Sequence, residues 1–270
     1  MDIEQHYSDH LDQSELLNQL RQRYPDGPNI YQLAPIDQLH IGGIKASDKL
    51  LQRIKQHRPK RILEIGSGIG GLMRLIRSQL TADVIGIDIT HSFNTLNHAL
   101  SSLNQLHDNP EIVTADAQQL PFADSSFDYI IFQHSLLNIP DTLSCLLECH
   151  RVLAPQGHLL LHEVLQGKQP EQMCYPVPWA RNAEQSHLLP QAKLHHLLRK
   201  AGFNIDDACN WSEEALQWRQ RQSGKEQKRS PEPSLSPVQV LGAEFRRMGP
   251  NVMNNLSSEA VEVWEIMASR

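Results

Sequence analysis

The sequence predicts an α/β fold built on a doubly wound, Rossmann-like parallel sheet, and three observations carry that prediction. Short apolar runs alternate with amphipathic stretches at helical spacing through the middle of the chain. A glycine-rich turn, EIGSGIGG, closes the first of these runs. An acid, Asp88, ends the next run at GID, where a strand-turn-helix-strand unit presents a carboxylate to the two hydroxyls of a ribose.

Each element has its own signal. Leu16, Leu17 and Leu20 give 14–23 a helical face, which the YPDGP turn ends. After an interruption at Gly42-Gly43, residues Ile44, Leu50, Leu51 and Ile54 mark a second amphipathic helix, stopped before Pro59. Residues 1–58 are therefore expected to form a helical cap over the open edge of a main domain, 59–270. Strands are expected at 61–65, 84–87, 112–115, 129–132 and 158–165, with helices at 71–80, 92–106 and 143–153 between them. Residues 203–208 read as a sixth strand and 260–268 as a last strand at the sheet edge, seven in all. The proline-punctuated stretch 166–189 is long enough for an inserted lid. Pro190 opens a further helix, another follows at about 212–221, and the polar stretch 219–237 reads as a mobile loop.

Composition narrows the function. With 25 Lys+Arg against 31 Asp+Glu, the chain offers nucleic acid no broad basic footprint. No stretch approaches 18 consecutive apolar residues, and MDIEQHYSDHLDQS has neither the basic nor the apolar region of an export signal, so a soluble, cytoplasmic protein is expected. Four cysteines at irregular spacing suit neither a disulfide framework nor a zinc site; Cys145 and Cys149, one helical turn apart, read as core residues. His158 and His162, on one side of the fifth strand, are of the kind that 14 histidines produce by chance.

The glycines Gly66, Gly68 and Gly71 satisfy GxGxxG, which by itself suits a dinucleotide enzyme equally well. Two further acids tilt the reading. Glu64, two residues before the first glycine, repels phosphate but accepts from an ammonium or organises the loop. Asp116, in TADAQQLPF, follows the third strand and is placed to accept from an adenine amino group. Ribose, adenine, an ammonium and a sulfonium cation together describe S-adenosylmethionine.

EIGSGIGG, GIDIT, TADAQQLPF and FDYIIFQHSLLNI in this order resemble the class I S-adenosylmethionine-dependent methyltransferases. Four more blocks, IDQLHIGGIKASDKL, QHSLLNIPD, YPVPWA and LGAEFRRMGPNVMNNL, are similar to the sarcosine/dimethylglycine N-methyltransferase-like group. The resemblance implies a seven-stranded class I fold and methylation of a small metabolite, with nitrogen of an amine or amino acid favoured and oxygen, carbon or sulfur as alternatives. It places the cofactor against His40, Gly43, Glu64, Gly66, Ser67, Gly68, Asp88, Ile89, Asp116, Ala117 and Gln133. His134, just past the fourth strand, becomes the candidate base or substrate orienter, with Tyr7, Asn138 and Trp179 as pocket walls. Asn138 stands where many relatives carry histidine, and an amide positions a substrate without taking its proton. A small-molecule partner, no metal, no membrane and no nucleic acid complete the expectation. A nicotinamide dehydrogenase and a non-catalytic S-adenosylmethionine-binding protein are the competing classes.

Overall fold

A computed structural model describes residues 11–104, 110–227 and 235–270. Seven strands form one sheet in the order β3-β2-β1-β4-β5-β7-β6, comprising β1 (Arg61–Ile65), β2 (Asp83–Asp88), β3 (Glu111–Thr114), β4 (Phe127–Gln133), β5 (Leu153–Gln166), β6 (Asn204–Asn210) and β7 (Val261–Ser269). The first five run parallel, joined by α4 (Gly71–Arg77), α5 (His91–Leu103) and α6 (Thr142–Val152). The chain leaves β1 towards β2 and returns to β4 on β1's other side. That reversal opens a crevice at the carboxyl ends of β1 and β4, where open sheets bind ligands.

Two expectations about the sheet are corrected. It is mixed, because β7 runs antiparallel to both β5 and β6. The last strand is also not the edge. It pairs with β5 from Val261 to Ser269 and is mostly buried, whereas β6, largely exposed, takes the rim. An edge strand leaves one row of backbone groups to water, which suits the polar NIDDACN and not the apolar VEVWEIMAS.

The N-terminal residues pack in two places. In α1 (Gln13–Arg23) and α2 (Ile30–Asp37), Leu16, Leu20, Leu33 and Ile36 close over Phe93, Leu96 and Leu100 of α5. The third helix, α3 (Ile44–His57), lays Leu50, Leu51 and Ile54 on α4 and the sheet. Helix α2 had no clear signal, since Pro35 lies inside it; a capping box between Asn29 and Gln32 starts it.

Past the lid and α7 (Gln191–Lys200), α8 runs from Ser212 to Gln227, through the first half of the stretch expected to be a loop. Arg219 explains the difference. Although charged, it is buried, pairs with Glu226 at 2.6 Å and donates to Gly249 O of α10 (Phe245–Ser257), so helix and partner order each other. Residues 228–234 lie outside the described ones. A short helix, α9 (Val238–Leu241), precedes α10.

One buried ion pair joins the cap to the main domain. Arg74 Nη2 lies 3.0 Å from Asp37 Oδ2, with both side chains about fully buried. Arg74 Nη1 also donates to Asn97 Oδ1 and Ser101 Oγ of α5, and Nη2 to Ile69 O of the glycine loop. Removing one member of such a pair strands the other, at about 3 to 5 kcal/mol. Arg74→Met is therefore expected to lower unfolding stability by about that amount in urea titration at pH 7, and adding Asp37→Asn to recover part of it. A wild-type midpoint in the single variant would show that the pair contributes nothing.

Candidate functional site

A cavity of about 240 Å³ opens at the carboxyl ends of β1, β2 and β4. Its floor is the loop between β1 and α4, pinned from β2: Gly66 N and Ser67 N both donate to Ile87 O, at 2.8 and 2.9 Å. The glycines differ in purpose. A side chain on Gly66 would strike Ser135, and one on Gly71 would strike Asp37 O, so those two allow close packing. Gly68, at φ +51°, has open space where a Cβ would stand, and it lines the cavity.

Asp88 ends β2 at the cavity wall. Its Oδ2 accepts from Gly68 N at 2.9 Å and its Oδ1 from Thr90 N at 2.8 Å, which fixes the carboxylate and leaves each oxygen further acceptor capacity. Burial raises its pKa, an effect the two N–H groups offset only in part. Glu64 is 4 % exposed, and burial pushes it up to about 8, against the pull of Arg74. Glu64 Oε2 has no hydrogen-bond partner, so a buried acceptor stands ready beside the loop. Asp116 lines the cavity beyond β3, its Oδ1 accepting from Gln118 N.

Across the cavity stand His40 and Gln133. His40 Nε2 lies 3.1 Å from Gly43 O and 2.9 Å from the side-chain nitrogen position of Gln133. The ring's tautomer sets the roles: Nε2–H donates to Gly43 O, or a bare Nε2 accepts from the Gln133 amide. Ser47 Oγ ties both to Gln38, donating to its Oε1 at 2.6 Å.

His134 follows β4 at φ +55°, an uncommon value for a side-chain residue, with its N–H donating to His162 O at 2.8 Å. Its ring stacks on His162 at 5.0 Å and meets His40 edge-on at 5.8 Å. Burial foremost, then its two histidine neighbours, holds His134 well below the ordinary histidine range; burial also takes His40 to about 4 and His162 to about 3. All three rings are neutral at pH 7. Glu163, next along β5, accepts at Oε1 from Ser135 N and Leu136 N and so fixes the turn after β4; burial raises it to about 7.

The stretch 166–189 reaches the cavity through Pro178 and Trp179. Helix α10 fastens it: Asn255 accepts from Cys174 N and donates to Cys174 O, and Asn251 donates to Pro176 O.

Most of the expected site residues thus meet at one cavity: His40, Glu64, Gly66, Ser67, Gly68, Asp88, Ile89, Asp116, Ala117, Gln133, His134, Asn138 and Trp179 line it. Gly43 does not line it. Its φ of +52° favours glycine, and its absent Cβ faces the Trp218 ring at 3.2 Å. Tyr7 lies outside the described residues. Sequence reasoning missed Asp37 and Leu39, which adjoin the HIGG block, and Leu241, which opens the last block. It also set His162 aside, and it passed over Glu163, although an acid within the apolar run LLLHEVL signals a buried carboxylate with an assignment. Cys145 and Cys149 are core residues, and among the described residues no group of side chains is placed to hold a metal.

A sheet of this order, with a glycine loop and acids at successive strand ends around one crevice, defines the class I methyltransferase fold. Residues 63–161 match the family model described as a methyltransferase domain. Demethylmenaquinone methyltransferase of Staphylococcus saprophyticus is 31% identical over 46% of this chain and 60% of its own length. Phosphoethanolamine N-methyltransferase 2 of Caenorhabditis elegans is 33% identical over 44% of this chain and 28% of its own. The chain therefore spans less than two thirds of the length of these relatives. Among solved structures, a Galdieria sulphuraria protein provisionally named a sarcosine dimethylglycine methyltransferase superposes with a TM-score of 0.73 at 16% identity, covering 93% of this chain and 98% of that one. The [4+2]-cyclase SpnF gives 0.69 at 18% identity, covering 100% and 97%. At such identities the likeness speaks for the fold alone.

Because nothing lies within 4 Å of the Cβ position of Gly68, Gly68→Ala is expected to keep the fold at a loss of about 1 to 2 kcal/mol, the cost of the left-handed conformation for a side-chain residue. Thermal unfolding measures it, and collapse of the fold would mean that Gly68 supports packing after all.

Proposed function

We propose that this chain transfers the methyl group of S-adenosylmethionine to a small-molecule acceptor, with nitrogen of an amine or amino acid as the receiving atom. The observation that carries the reading is the pair Asp88 and Asp116 at the ends of β2 and β3, with open backbone at Gly68 on the same wall. In this reading Asp88 takes the ribose hydroxyls and Asp116 the adenine amino group. Ile89, 44% exposed although apolar, and Ala117 wall the adenine ring. Glu64, with its unpaired Oε2, answers the ammonium, and Gln133 and His40 hold the methionine end. The residues present fit this cofactor and disfavour a dinucleotide, whose pyrophosphate would meet Glu64.

Bound S-adenosylmethionine supplies a methyl carbon already activated by its sulfonium for in-line displacement. What the protein adds is position, which is worth roughly 7 to 11 kcal/mol in well-oriented reactions. His134, Asn138 and Trp179 flank the space beyond His40 and Gln133. A neutral His134, with its protonated form disfavoured, orients the acceptor by a hydrogen bond and stores no proton. N-methylation is supported by the absence of a cationic side chain on the cavity wall among the described residues, which would repel an amine.

The experiment is transfer of labelled methyl from S-adenosylmethionine to a pooled metabolite extract. Since the cyclase SpnF shares the fold, binding of S-adenosylhomocysteine without transfer to any acceptor would overturn the reading. Asp88→Ala is expected to weaken S-adenosylhomocysteine binding at least about tenfold, through loss of charge-assisted hydrogen bonds of about 1.5 to 3 kcal/mol each. His134→Ala is expected to lower turnover more than cofactor affinity, with no inflection near pH 6.5 in either form.

Glu64 sets a pH dependence. With its pKa near 8 in the free protein it is protonated at pH 7, and an ammonium favours the carboxylate, so binding releases a proton. Affinity is therefore expected to rise from pH 6 to about 8. Calorimetry in buffers of different ionisation enthalpy detects the proton, and Glu64→Gln should abolish the buffer dependence.

A further inference from the structure

We infer that the acceptor is a largely apolar molecule, neutral or cationic, that carries no phosphate, sulfate or carboxylate group. This rests on the methyl-transfer reading and narrows it, selecting amines over amino acids. The ionisable acids lining the cavity are Asp37, Glu64, Asp88 and Asp116, of which Glu64 is protonated at pH 7 until an ammonium meets it; no lysine or arginine among the described residues joins them.

Two basic side chains near the cavity are engaged elsewhere. Arg74 is paired with Asp37 behind the wall. Lys49 reaches Glu265 at 3.9 Å and stands over the Trp211 ring, on the far side of His162. The three histidines supply no positive charge either, since burial keeps each neutral at pH 7. Outside the described residues, 1–10 and 105–109 contain no lysine or arginine, and 228–234 contain Lys228 and Arg229.

Beside the bound cofactor, an anionic group on the acceptor would lose its water and meet no cationic side chain. The acceptor side is otherwise apolar. Leu137, Ile139, Pro140, Pro178, Trp179 and Leu241 line it, and Trp179 offers an aromatic face that also suits a cation. Small-molecule sites of this kind take their affinity from apolar walls and their orientation from a few polar groups, here His134 and Asn138.

The test uses the full chain saturated with S-adenosylhomocysteine, whose binding is first measured by calorimetry. Two fluorescent probes with one aromatic body are then titrated: N-phenyl-1-naphthylamine, which is neutral, and 8-anilinonaphthalene-1-sulfonate, which adds a sulfonate. The neutral probe is expected to bind at least about tenfold more tightly. Its signal is expected to fall at least about tenfold in Ile139→Asp, a half-buried wall position, or in Leu241→Asp if the first variant does not fold. Equal or tighter binding of the sulfonate, binding of neither probe, or a signal indifferent to both variants overturns the inference. Failure to bind S-adenosylhomocysteine strikes the methyl-transfer reading instead, so the two failures are told apart.

Discussion

One guanidinium holds the site together. Arg74 reaches the cap through Asp37, the glycine loop through Ile69 O, and α5 through Asn97 and Ser101. These three segments supply the near side of the cavity, and none is joined to the others by a regular ladder. A charge so deeply buried is tolerated only because its partners surround it, so the arrangement works as a whole or fails as a whole. Gly70 and Gly71 belong to the same constraint: side chains there would strike Asn97 and Asp37, the residues the arginine draws in.

The opposite side is built differently. Histidine rings and a turn fixed by Glu163 replace ion pairs, and the lid is held at backbone atoms by two asparagines of α10. The loop side and the α10 side of the cavity thus rest on separate supports. A change in α10 can reshape the wall at Pro178 and Trp179 without disturbing the loop beneath Gly68. Folds that serve many acceptors with one donor benefit from that separation, because the acceptor wall can vary while the donor grip stays.

Much of this was legible in the residues. The β1 to β5 core followed from alternating apolar and amphipathic runs, and the acids at strand ends marked the crevice because a carboxylate there serves no packing purpose. What stayed hidden depended on contacts distant in sequence. That Gly43 stands off the cavity wall with Trp218 against it is such a contact. The polar stretch after Arg219 looked unstructured because its ion pair with Glu226 and its bond to Gly249 belong to a helix-helix contact. His162 was indistinguishable from any other histidine until β4 and β5 brought it to His134. The order of the last two strands was equally unreadable, since local pattern says which residues are buried, not which neighbour buries them.

The place of β7 bears on how the molecule is made. Val261–Ser269 fills the gap between β5 and β6, so a growing polypeptide shows β5 with one flank bare until that segment has left the ribosome. Through that interval the nascent sheet has an open, sticky border, the kind that chaperones cover and that neighbouring polypeptides invade.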